Sequence, residues 1–305
     1  MDITLLDGGM GQELVRRSSD PAHPQWGAWV MMQEPEIVQG LHEDYLRAGA
    51  TAITLNSYSI NRSRLAAFEM PDRLAELQGI AIDLARRARD AVNPNAALVG
   101  CLPPLIGSYH PELLPPDPEL LEEYREIVSF QADHVDVLLC ETMSKASEAQ
   151  MAATAACESG KPVWVAWTLD EELGPDDQPR LRSGETVGEA LAALEGLPVE
   201  AVLFNCCPPE AIAAGLGQLL ADGRPTGGYA NGFTPIPKKF VLGETVDMIG
   251  KRTDLEPPAY AEHVMGWIAQ GARIVGGCCE TTPAHIAEMA RRIEAGGHRI
   301  ARRAA

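Results

Sequence analysis

The chain has 305 residues, 46% of them apolar, and a formal net charge of −18. That length and apolar content provide for one large α/β domain or two ordinary ones and exclude wholesale disorder. The negative charge excludes a nucleic-acid backbone or an anionic membrane surface as partner, because both are met by basic patches, and leaves small molecules as the ligands to expect.

Along the chain, short apolar runs alternate with amphipathic ones. ITLLD (3–7) reads as a strand. After a loop comes the helical pattern EPEIVQGLHEDYLRAG (34–49), whose Ile37, Leu41, Tyr45 and Leu46 share a face and which stops at Gly49. TAITLN (51–56) precedes a helix over 73–92, AALVGCLP (96–103) one over 119–134, and VDVLLCE (135–141) one over 145–160. PVWVAWTL (162–169) precedes 186–196, AVLFNCC (201–207) precedes 209–223, PTGGYAN (225–231) precedes 258–272, and ARIVGGCC (272–279) precedes 282–297. Most of the strand runs are apolar throughout, as strands buried on both faces are. Eight strands alternating with eight helices predict an α/β fold, a single-domain (β/α)8 TIM-type barrel over 1–305, with longer loops after strands one, three and seven. A doubly wound open sheet is the alternative, and no GxGxxG turn after the first strand supports it. The basic end HRIARRAA (298–305) reads as a solvated or frayed terminus.

The seven cysteines are an odd number in a chain too large to need disulfide staples. MDITLLDGG lacks a basic, apolar leader, and no run approaches the roughly 20 apolar residues of a membrane span. A reducing, cytoplasmic setting follows, with thiols used for a metal or for catalysis.

In a barrel of this type chemistry gathers where strands end. Asp7 ends the first strand, Asn56 the second and Glu141 the fourth; Asn205, Cys206 and Cys207 end the sixth, Asn231 the seventh, and Cys278 and Cys279 the eighth. Strands six and eight stand two apart on one ring, so their ends can face a common centre. A CC pair alone is compatible with core filler, a vicinal disulfide or two metal ligands; a second pair on a neighbouring strand end favours metal. Three thiolates and one open position make a catalytic zinc site, and soft sulfur selects zinc over magnesium or calcium. For Cys278 and Cys279 to reach one ion the backbone must leave the strand conformation, which Gly276 and Gly277 would permit. TTPAHI then reads as a capped helix start. Cys101, Cys140 and Cys157 read as core residues, and His42, His134, His263 and His285, on predicted helices, as structural.

The motifs DGGMGQEL (7–14), HEDYLRAGATAITLNSYS (42–59), LLCET (138–142), FNCC (204–207) and GGCCET (276–281), in this order, resemble the zinc-dependent homocysteine S-methyltransferase family. The resemblance covers nearly the whole chain. It implies a homocysteine-binding barrel with zinc at its C-terminal mouth, held by Cys206, Cys278 and Cys279 and not by Cys207. It implies that Asp7 and Glu141 hold the homocysteine ammonium, with Gly8, Gly9 and Asn56 in the same substrate site. Trp26 stands where betaine-using members place a donor-facing tryptophan, and Trp26 with Tyr58 would form a partial aromatic cage for an onium methyl group. The chain departs from the family pattern at LNSY (55–58), at Ala230 and in the loop over 107–119.

The implied reaction passes a methyl group from betaine, S-methylmethionine or a similar donor to the zinc-bound homocysteine thiolate, giving methionine, with no protein general base assigned. The partners are these small molecules, with no nucleic acid and no membrane, and a homo-oligomer is left open. A second reading takes the methyl group from a separate corrinoid protein. A third, of another class, is a non-catalytic zinc-binding or redox thiol protein.

Overall fold

A computed structural model describes residues 1–236 and 249–301. Eight parallel strands carry the fold: β1 (Asp2–Leu5), β2 (Ala52–Thr54), β3 (Ala97–Leu102), β4 (Val137–Met143), β5 (Val163–Trp167), β6 (Ala201–Asn205), β7 (Thr226–Ala230) and β8 (Ile274–Gly277). They are hydrogen-bonded in the order β2-β3-β4-β5-β6-β7-β8-β1. The seam between β1 and β2 is bridged by the Thr51 N–H, which donates to the Leu5 carbonyl at 2.8 Å. The sheet therefore curls into the expected barrel.

Side-chain alternation explains why strands with no polar face work here. In β5, Val163, Val165 and Trp167 join the core between sheet and helices, while Trp164 and Ala166 join a second cluster with Leu6, Val99, Leu139 and Leu203. The second cluster fills the barrel interior, so each apolar run serves two cores at once. PTGGYAN, the least strand-like run, forms β7 because its glycines allow close approach: a Cβ on Gly227 would lie 1.8 Å from the Ile274 carbonyl oxygen of β8.

The predicted helices are all present among the described residues: α3 (Pro35–Arg47), α5 (Leu74–Val92), α6 (Asp117–Gln131), α7 (Ala146–Glu158), α8 (Val187–Ala192), α9 (Pro209–Leu220), α10 (Pro257–Gln270) and α11 (Pro283–Ala295). Three more occupy what reads as loop: α1 (Met10–Arg17) and α2 (Gly27–Gln33) after β1, and α4 (Arg62–Ala67) after β2. At 6 to 8 residues each is too short to announce itself by periodicity and is held by packing. The long connection after β3 contains a 3-10 turn, Pro111–Leu113. The one after β7 lies in part outside the described residues. The C-terminal expectation is corrected as well. Arg299–Ile300 form a short ninth strand, β9, parallel to β1, with Arg299 paired to Asp2, so the segment to residue 301 is tied down; residues 302–305 lie outside the described residues. No described helix is long and apolar enough to cross a membrane.

Candidate active site

The strand ends converge on a cavity of about 150 Å³ at the C-terminal mouth of the barrel. It has room for an amino acid rather than a single water. Asp7, Gly8, Gly9, Asn56, Glu141, Cys206, Cys278, Cys279, Trp26 and Tyr58 all line it.

Three of the thiols meet. The sulfurs of Cys206, Cys278 and Cys279 lie within 4.8 Å of one another, with Cys206 and Cys279 3.7 Å apart. Two backbone breaks achieve this. Cys206 follows β6 with φ of 49°, in the left-handed region, so its thiol turns into the mouth while Cys207 runs on into the sheet–helix core. On the other side the left-handed residue is Glu280, with φ of 64°. Gly276 and Gly277 are therefore not the swivel the sequence suggests. Their role is space: a Cβ on Gly277 would sit 2.1 Å from Thr281 Oγ1, and one on Gly276 would sit 2.6 Å from Leu6 Cβ. Thr281 folds back to donate to the Cys278 carbonyl at 2.7 Å and to accept from the Gly9 N–H at 3.1 Å. Tyr45 Oη caps the same corner by donating to Gly9 O at 2.9 Å. A Cβ on Gly9 would lie 2.5 Å from the Cys278 carbonyl oxygen. Gly8 and Gly9 thus bring the β1 loop against the cysteine loop. The helix after it is capped as expected: the Thr282 hydroxyl accepts from the His285 N–H, and His285 Nδ1 faces the Thr282 N–H at 3.1 Å.

Hydrogen bonds from Cys278 and Cys279 push the Cys206 thiol below its ordinary pKa, and their own thiols are pushed up. The Tyr109 hydroxyl lies 3.0 Å from Cys206 Sγ. Burial instead pushes Cys207 up to about 12, so it stays a neutral thiol.

Two carboxylates line the same cavity. Asp7 accepts the Thr54 N–H at 2.8 Å. Glu141 accepts from Cys101 Sγ at 2.9 Å and from Tyr229 Oη at 3.4 Å. Burial raises Asp7 to about 8, helped by the charge of Glu141, and raises Glu141 to about 7. Two buried, mutually repelling carboxyls call for a cation between them. The backbone around Glu141 is fixed by Asn205, which accepts the Thr142 N–H and donates to its hydroxyl, both at 2.8 Å, holding Thr142 at φ of 61°.

Both rings named for the donor side line the cavity. Trp26 and Tyr58 stand edge to face at 6.3 Å. Trp26 Nε1 is anchored on Gln12 Oε1 at 2.7 Å. One face of Tyr58 is covered by the Arg64 guanidinium at 5.3 Å, so the ring does not offer both faces to a ligand. Asn56 spends its amide on the Gly27 carbonyl at 3.0 Å and acts on the cavity by positioning α2. Asn231 accepts the Phe233 N–H at 3.2 Å.

Sequence reasoning missed Tyr109, Arg64 and the contact made by Cys101. Tyr109 and Arg64 lie in a loop and a short helix without a motif, and Cys101 sits inside an apolar strand where a thiol reads as filler. His42 is buried in α3 as a structural residue, and burial lowers it to about 4.

A family model described as homocysteine S-methyltransferase matches residues 4–293. The homocysteine S-methyltransferase of Escherichia coli (strain K12) is 30% identical over 310 residues, covering 94% of each chain. The crystal structure of the E. coli homocysteine methyltransferase MmuM in its metallated form superposes with a TM-score of 0.79 at 30% identity, covering 96% of each chain. Methionine synthase of Mycobacterium tuberculosis is 29% identical over 94% of this chain, a match spanning 24% of that protein.

Proposed function

The chain belongs to the homocysteine S-methyltransferase family, and from that premise we propose that it transfers a methyl group from an onium donor such as betaine or S-methylmethionine to the thiol of homocysteine. The product is methionine, and the catalytic zinc is held by Cys206, Cys278 and Cys279. The observation that carries this reading is the trio of thiols gathered from two strand ends beside a carboxylate pair in one cavity.

The donor set fits the ion. Tetrahedral zinc with Zn–S bonds of ~2.3 Å needs sulfurs about 3.8 Å apart, and Cys206 and Cys279 stand at 3.7 Å. Three protein sulfurs leave a fourth position for a ligand, as in catalytic rather than structural sites. Zinc bound there supplies Lewis acidity that lets a substrate thiol lose its proton near neutral pH.

The protein's own groups do the rest. Asp7 and Glu141 receive the homocysteine ammonium, which relieves the repulsion between them. With the ammonium held there, the thiol end is directed toward the cysteines. Trp26, braced by Gln12, presents an aromatic wall to the cationic methyl group. The cavity keeps water from the transferring carbon, and catalysis is mainly positioning. Small-molecule chemistry in a reducing compartment suits a site built of free thiols.

Incubating zinc-loaded protein with homocysteine and a donor panel, with methionine read by mass spectrometry, tests this. Turnover with an onium donor alone supports the reading. Turnover that requires a methylated corrinoid protein would move the donor assignment to a partner chain, and bound zinc without turnover under either condition would overturn the enzyme assignment.

A further inference from the structure

Among the described residues, one cation in the cavity wall has no anion to meet it. Arg64, on α4, is 8% exposed and lines the cavity. Its Nε and Nη2 both donate to the Pro104 carbonyl, at 3.3 and 3.0 Å. Among the described residues Nη1 has no hydrogen-bond partner, and no carboxylate lies within ion-pair distance. Glu148 acts on Arg64 only at longer range, and one of its oxygens accepts the Ser144 N–H at 2.8 Å. The contrast with the other described arginines is complete: apart from the exposed Arg273, each has a carboxylate within 4.0 Å. In a chain with a formal net charge of −18, partners are not scarce. A largely buried guanidinium that lines the cavity with Nη1 unpartnered is placed to receive an anion from a ligand.

We infer that Arg64 receives the carboxylate of a substrate. One edge of the guanidinium is occupied by Pro104, and Nη1 with the second N–H of Nη2 forms the end-on fork that matches a carboxylate. Tyr58, lying under the guanidinium, fixes its plane and is itself held by Ser108 at 2.7 Å. The inference rests on the methyl-transfer reading and narrows it: a carboxylate can come from homocysteine or from a donor that is an onium carboxylate, and Arg64 selects for whichever bears it. A donor without a carboxylate, or an acceptor without one, would lose this contact.

The experiment compares matched pairs on zinc-loaded wild type, Arg64→Gln and Arg64→Lys. The donor pair is betaine and its carboxamide; the acceptor pair is homocysteine and 3-aminopropane-1-thiol. Both kcat/KM and calorimetric affinity are measured, with melting temperature and zinc content confirming that each variant is folded. Wild type is expected to prefer the carboxylate member of one pair by on the order of 10- to 100-fold. In Arg64→Gln that preference should collapse toward unity, and in Arg64→Lys it should be partly kept. Collapse on the donor pair assigns the carboxylate to the donor; collapse on the acceptor pair assigns it to homocysteine. Equal discrimination by wild type and Arg64→Gln on both pairs would overturn the inference and leave Arg64 as a brace for Pro104. If Arg64→Gln does not fold, wild-type calorimetry decides, and equal affinity within both pairs overturns it. A calorimetric preference lost in Arg64→Gln, in a protein that turns over neither pair, would support Arg64 and count against the methyl-transfer reading instead.

Discussion

Replacing Glu141 by glutamine should make the protein more stable and the enzyme worse. Glu141 is 8% exposed, and its carboxyl is raised from 4.5 to about 7 chiefly by burial. In the unfolded chain it ionises in the ordinary carboxylate range; in the folded chain it holds its proton until near neutrality. The folded state therefore binds more protons across that window, and stability falls as pH rises from about 4.5 to about 7, then levels off. At 1.36 kcal/mol per pKa unit the loss is on the order of 3 kcal/mol above pH 7. Glutamine carries no such loss. Its carbonyl can still accept from Cys101 at 2.9 Å, and its amide can donate to Tyr229 Oη, now 3.4 Å away. For a chain of this size about 3 kcal/mol corresponds to roughly 5 °C in melting temperature. Thermal melts of zinc-loaded wild type and Glu141→Gln from pH 5 to 8.5 should start close together and diverge as pH rises, with the variant the more stable. Calorimetry at pH 8 should show homocysteine bound on the order of 10- to 100-fold more weakly by the variant, because a charge-assisted contact to the ammonium is gone. Parallel melting curves over the whole range, or undiminished homocysteine affinity, would refute the assignment of Glu141 as a buried ammonium receptor.

Two further substitutions probe the supports of the site. Gly277→Ala places a methyl group 2.1 Å from Thr281 Oγ1. It should displace the loop that carries Cys278 and Cys279, costing roughly 2 kcal/mol or more in a urea melt and lowering metal content. Cys101→Ala removes the thiol that donates to Glu141; homocysteine affinity measured by calorimetry should fall several-fold while zinc content stays at the wild-type level.

The barrel was legible because its signal is repeated: eight apolar runs, each followed by an amphipathic run, leave few architectures, and the polar residues that break the runs mark the mouth. Strand order alone could bring the two cysteine pairs together, whereas the choice of Cys206 over Cys207 rests on the family resemblance. What sequence could not supply is whatever depends on contacts between loops. The conformational freedom of Gly276 and Gly277 looked like the device that turns the cysteines, whereas the turning residues are Cys206 and Glu280, held at positive φ by their surroundings. Helices α1, α2 and α4 are too short to carry periodicity, and β9 is a two-residue strand whose partner lies 297 residues away at Asp2. Cys101 and Arg64 belong to the site by what they touch, which no motif records.

The claim on which the rest depends is that Cys206, Cys278 and Cys279 hold a zinc ion and that Cys207 does not. Cys206 lies 3.7 Å from Cys279, while Cys207 is fully buried in the sheet–helix core as a neutral thiol. The direct measurement is zinc content and zinc-edge X-ray absorption of wild type, Cys206→Ala and Cys207→Ala, each purified under anaerobic, reducing conditions. Wild type should carry about one zinc with a Zn–S shell at ~2.3 Å. Cys206→Ala should lose most of that metal, whereas Cys207→Ala should keep it and lose only packing stability on the order of 1 kcal/mol. Zinc-free wild type, or metal lost from Cys207→Ala and kept by Cys206→Ala, would contradict the account.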